Sequence, residues 1–223
     1  MVMEDKISFL KSWLGTGSIN LFGLPMSGKD TQGIRLAEAL GARFLSSGLI
    51  IRAMEQETHQ NLTGNGSLAP TNLFYEWVLP YFDRDELKET SLVLSSVGRL
   101  NGEENEVIKA ADKAGHPIKV AVVLNVSEAD VTNRWETAKA LGHREQDPSM
   151  PVDPAAAEIL KKRQDDKDKS VFKARIENFT TQTIPVLQHY RSLGLLVEVL
   201  ADADRDTVFN NLIDALYSYV KNK

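Results

Sequence analysis

Two glycines, a lysine and two hydroxyls fall in one short run, Gly23-Leu-Pro-Met-Ser-Gly28-Lys29-Asp30-Thr31. Glycines so placed let a loop bend until several backbone N–H groups point at one spot. A lysine closing the loop adds a cation there, and a helix starting at that lysine adds the positive end of its dipole. The chemistry such a loop suits is the holding of phosphate oxygens. Its surroundings fit: residues 18–22 read as a strand entering the loop, and residues 31–40 read as a helix leaving it. A plain strand–turn–helix corner carrying glycine is the alternative, and the lysine at this spacing argues against it. After the lysine this motif ordinarily has Ser or Thr, but here Asp30 intervenes before Thr31. A carboxylate suits a helix start, yet it repels phosphate unless a metal or a turned rotamer relieves the contact.

The elements needed to position that loop are legible around it. Residues 4–13 have the spacing of a short amphipathic helix, broken by the Gly15-Thr-Gly-Ser18 run. Further strands are predicted at 43–46, 91–94, 118–126 and 195–200. The run 118–126 lacks alternation, as a strand buried on both faces should. Helices are predicted from 47 to about 57 and over 72–79, 103–114, 129–141, 166–193 and 204–220, the long one bent or interrupted near Pro185. Residues 59–70 and 142–154 read as loops. Five strands alternating with helices predict an α/β fold, a parallel sheet covered on both faces.

Composition removes several functions. The chain has 223 residues, 42% of them hydrophobic and 26% charged, which is ordinary for a globular protein. Its net charge of -5 argues against a general nucleic-acid binder but leaves room for a local cationic pocket. There is no cysteine, so disulfides, thiol nucleophiles and cysteine–zinc sites are excluded, and the histidines show no metal spacing. No apolar run approaches the roughly 20 residues of a membrane helix, and the first residues lack a signal-peptide core. A cytoplasmic protein is the expectation.

The loop, continued as Thr31-Gln32, resembles the phosphate loop of adenylate kinases and related nucleoside monophosphate kinases, where Asp30 is usually glycine. Further stretches follow in the family's order. Ser46-Ser-Gly-Leu-Ile-Ile-Arg52 resembles the start of the monophosphate-binding helix, and Val93-Leu-Ser-Ser-Val-Gly-Arg99 resembles a strand end and turn. Arg134 matches the arginine that opens the lid, Arg163-Gln-Asp-Asp166 its closing motif, and Arg175 the helix beyond it. Together these matches run from about residue 18 to 216, and the N-terminal helix lies outside them.

The resemblance implies a P-loop kinase core over residues 18–223, with strand order 2-3-1-4-5, preceded by a helical extension over 1–17. It implies one insert at about 47–77 that clamps a monophosphate and another at about 135–163 that closes over ATP. The activity implied is transfer of the γ-phosphate of MgATP to AMP by a monomer, without zinc. Phosphoryl transfer asks a protein to position two anions and neutralise the charge between them. Arginines suit that task, because a planar guanidinium grips phosphate oxygens bidentately and stays charged.

By resemblance, the ATP phosphates fall to Gly23, Met26, Ser27, Gly28, Lys29, Asp30, Thr31 and Arg134. The acceptor falls to Ser47, Arg52, Arg99 and Glu103. Lys29, Arg99, Arg134, Arg163 and Arg175 would serve the transfer itself, with Asp165 and Asp166 orienting the lid arginines. For an arginine taken alone, a solvated surface role remains the commoner reading. Two departures stand out. Ser95 occupies the strand end where the family carries a magnesium-holding aspartate, so Mg2+ would rest on phosphates with Thr31, Asp30 or Ser95 acting through water. Either Asp30 supplies the missing carboxylate, or the chain is a catalytically weak nucleotide-binding homologue. Glu103 stands where the adenylate pattern has glutamine, which leaves GMP, UMP, CMP or a deoxynucleotide open as the acceptor.

Overall fold

The computed structural model describes residues 2–140 and 168–223. Five parallel strands form one sheet in the order β2-β3-β1-β4-β5. They are β1 (Ser18–Gly23), β2 (Arg43–Ser46), β3 (Leu92–Ser95), β4 (Ile118–Asn125) and β5 (Leu196–Leu200). Both faces are covered, so the strands alternate between two cores rather than between core and water. Ile19, Leu21, Val93, Val120 and Val122 face one side, where α1 (Met3–Leu14), α2 (Lys29–Leu40) and the C-terminal α9 (Arg205–Lys221) pack. Phe22, Leu92, Leu94, Ala121 and Val123 face the other. That side holds α3 (Ser47–Glu57), α4 (Thr71–Trp77), α5 (Glu103–Lys113) and α8 (Ile184–Ser192).

The N-terminal helix is part of this packing. Leu10 and Leu14 are fully buried in the first core, and Lys6 bridges to Asp214 on α9 at 2.5 Å. A smaller third cluster joins α6 (Glu128–Ala140) to α7 (Lys169–Asn178) through Val131, Trp135, Phe172 and Ile176. The Trp135 and Phe172 rings stack there with centroids 5.2 Å apart.

Most sequence-predicted elements hold to within a residue or two, and the differences are physical. The helix expected over 72–79 ends at Trp77, and Pro80, which lacks an N–H, tightens the chain into a 3-10 turn over Leu79–Asp83. The long helix is interrupted as expected before Pro185. The missing N–H there accompanies a π-helical turn over Phe179–Thr183. The start of that helix, expected at residue 166, lies outside the described residues. From Lys169 it is capped by Asp168, whose carboxylate accepts from Ser170 N at 2.7 Å.

Candidate active site

β1, β3 and β4 end side by side, and the chain leaves β1 through the glycine loop. Two backbone details shape that loop. Gly28 has φ 88, the left-handed geometry its residue type favours, and Met26 adopts φ 65 without that freedom. At Gly23 a Cβ would come within 2.5 Å of Ser27 Oγ, so the strand can turn this tightly only with glycine.

The neighbouring strand end is equally fixed. Asn20, fully buried in β1, donates to Val97 O at 2.8 Å and accepts from Val97 N at 3.3 Å. Ser47 Oγ donates to Ser96 O at 2.7 Å, which pins the start of α3 to the turn after β3. Arg99 is held on both sides of its own backbone. Its N–H donates to Glu103 Oε2 at 3.1 Å, and its carbonyl accepts from Thr183 Oγ1 at 3.3 Å.

These anchors open one cleft. Lys29 and Asp30 stand on its wall from α2, Ser47 and Arg52 from α3, Ser95 and Arg99 from the end of β3. Arg175, Asn178 and Thr183 come from α7 and the π-helical turn. Lys29, Arg52, Arg99 and Arg175, far apart in sequence, thus meet in one place, a cationic arrangement that could hold an anion of several charges. Asp30 enters this cationic wall and accepts a hydrogen bond from Ser95 Oγ at 2.5 Å.

The remaining sequence-predicted residues are placed less centrally. Gly23 is on the wall, whereas Met26, Ser27, Gly28 and Thr31 belong to the loop and first helical turn without lining it. Arg134 is not on the wall either. It donates to the carbonyls of Met26 and Ser27, each at 3.4 Å, and to Ala201 O at 2.8 Å, bracing the loop against the end of β5. Arg163, Asp165 and Asp166 lie outside the described residues, as does most of the insert expected over 135–163.

A side recess beside the cleft is lined by Ser47, Ile51, Phe74, Arg99 and Glu103. Glu103 is only 4% exposed. Its Oε2 accepts from the N–H groups of Arg99 and Leu100, and its Oε1 accepts from Thr71 Oγ1 at 3.1 Å. Burial outweighs these bonds and the nearby Arg99, and it raises the carboxyl above its ordinary value. The folded state therefore binds this proton more tightly than the unfolded chain does. Stability from the site is greatest below the ordinary carboxylate pKa and is lost as pH rises through the raised one. Glu103→Gln removes that loss. Its stability relative to the parent should climb between pH 4 and pH 7, as denaturant melts at each pH would record. A flat difference would mean that Glu103 is not perturbed in the fold.

The sequence reading missed several residues that shape the cleft. Glu55, 8% exposed, accepts from Leu62 N, Thr63 N and Thr63 Oγ1, folding the loop that brings Thr63, Gly66 and Ser67 to the wall. Asn178 Nδ2 donates to Gly66 O at 2.9 Å and ties that loop to α7. Neither residue sits in a motif, and only the fold brings them together. Among the described residues no group of three or more His, Asp or Glu is arranged for a metal, and no helix is long and apolar enough to cross a membrane.

No protein-family profile matches the chain. Individual proteins do. An adenylate kinase of Chlamydia muridarum is 29% identical over 224 residues, covering 88% of this chain and 85% of that protein. An adenylate kinase of Streptococcus suis is 26% identical, covering 89% and 97%. One of Streptococcus pneumoniae is 25% identical, covering 86% and 94%.

Proposed function

Because this chain is a phosphotransferase related to the adenylate kinases and nucleoside monophosphate kinases, we propose that it moves the γ-phosphate of ATP to AMP, giving two ADP. The observation that carries this reading is the convergence of Lys29, Arg52, Arg99 and Arg175 on one cleft beside the glycine loop. Arg52 and Arg99 would grip the acceptor phosphate. Lys29 and Arg175 would face the phosphoryl group in transit, where charge spreads over its oxygens. An acceptor phosphate oxygen forms the new O–P bond as the bond from the γ-phosphorus to the β,γ-bridging oxygen breaks. No covalent enzyme intermediate is required.

Magnesium fits the residues present. Mg2+ is usually held by one or two carboxylates together with substrate phosphates, keeping several waters, and needs no all-protein cage. Asp30 and Ser95 offer hard oxygen acceptors beside Lys29, with Thr31 one residue further along α2. When bound with ATP, the ion would supply positive charge to the β- and γ-phosphates. Arg134, braced against the loop, would keep the loop's shape and border the ATP side. The domain scheme belongs to the same proposal: an acceptor clamp at about 47–77, a lid at about 135–163 that ends at Arg163 with Asp165 and Asp166 just beyond it, and a cytoplasmic monomer.

The test is a product-resolved assay of MgATP with AMP, GMP, CMP and UMP in turn. AMP should be the preferred acceptor by at least about tenfold, the order that one or two well-placed base contacts supply. A second reading keeps the mechanism and changes the acceptor. Glu103 as a carboxylate only accepts hydrogen bonds, and guanine presents donors at N1 and N2. Turnover with GMP and none with AMP would favour it. Absence of turnover with all four, from folded protein, would contradict the proposal.

A further inference from the structure

Among the described residues on the wall shared by Lys29, Arg52, Arg99 and Arg175, Asp30 carries the one carboxylate. It belongs to the first turn of α2, immediately after Lys29. Its side chain reaches across to the end of β3, and Ser95, only 2% exposed, donates its hydroxyl proton to Oδ1 at 2.5 Å. We infer that Asp30, oriented by Ser95, is the carboxylate through which this chain recognises the hydrated divalent cation of a metal–nucleotide complex. The inference rests on the phosphotransfer reading and identifies the metal-facing group within it.

The chemistry follows from the oxygen inventory. The Ser95 hydroxyl has one proton, and that proton is given to Asp30, so the serine oxygen can act toward any other group only as an acceptor. A carboxylate has about four acceptor sites on its two oxygens, and Ser95 takes one of them. A carboxylate and a spent hydroxyl side by side contribute only acceptors of their own, which suits the donor waters of a hydrated cation. The same patch repels a bare phosphate. Asp30 therefore has opposite effects on the two forms of the nucleotide, favouring the metal complex and disfavouring the metal-free anion. Positions 30 and 95 touch in this chain, so a carboxylate placed on either side of the contact would face the same part of the cleft.

Calorimetric titrations of ATP with excess Mg2+ and of ATP in a chelator test this without turnover, and manganese binding in the presence of ATP gives a spectroscopic check. Asp30→Asn should bind metal-free ATP more tightly and MgATP more weakly, so the preference for MgATP falls at least tenfold. Ser95→Ala should lower it by a smaller factor, because the carboxylate remains but loses its orientation. The double variant D30N/S95D puts the carboxylate back on the other side of the contact and should recover most of the preference, which a merely structural role for Asp30 would not explain. An unchanged preference in a folded Asp30→Asn protein would overturn the inference while leaving the phosphotransfer reading standing. Failure of the parent protein to bind either form would overturn both.

Discussion

Lys29→Ala should lower kcat by about 10³-fold, the upper range for loss of one preorganised charge facing a transition state, with the melting temperature nearly unchanged. Lys29 is the first residue of α2, and its side chain stands on the cleft wall. Alanine is a strong helix former, so the helix start has no propensity reason to weaken. The cation has no substitute at that position, since Arg52 and Arg99 are placed by α3 and the end of β3 rather than by the loop. Initial rates with MgATP and AMP, alongside a thermal melt, separate the two effects. Lost activity with a lost fold would not support a role in transfer, and retained activity would refute it.

Arg99→Ala should reduce kcat/KM for the acceptor by about 10²-fold or more, as expected when a charge-assisted anchor for a phosphate is removed, while ATP affinity changes less than about twofold. The reason is the fixing of the backbone at this residue. Glu103 receives its N–H and Thr183 donates to its carbonyl, so the guanidinium starts from an immobile base. Gly98, at φ 76, makes the turn before it, and a Cβ there would meet Val107 Cγ2 at 2.9 Å. Arg99→Lys should fall between the parent and the alanine variant, because an ammonium keeps the charge and loses the bidentate grip. Acceptor titrations at saturating MgATP, with ATP binding measured separately, would show the split. Equal losses for both nucleotides would place Arg99 between the substrates rather than on the acceptor.

Much of this architecture was legible because it is local or periodic. The glycine–lysine loop declares itself by spacing, and the non-alternating apolar run from Val120 to Leu124 in β4 marks a strand with both faces covered. The interruption before Pro185 followed from the missing N–H, although its form, a π-helical turn that delivers Thr183 to Arg99, did not. What stayed hidden depends on contacts between distant residues. Glu55 looks like any helical glutamate until the 62–63 backbone folds onto it. Arg134 stands out in the sequence only by resemblance, and nothing there announces that it donates to three backbone carbonyls bracing the loop. Asp30 and Ser95 could be linked from the sequence as a gained and a missing carboxylate, but their direct contact needs the sheet, which brings β1 beside β3 in parallel register, Leu21 against Ser95.

The central claim is direct transfer between two nucleotides held in one cleft. A single-turnover reaction of γ-labelled MgATP with AMP tests it most directly. The label should appear as the β-phosphate of ADP formed from AMP, with none on the protein and almost none in inorganic phosphate. Label released as phosphate, or retained on the chain, would contradict it.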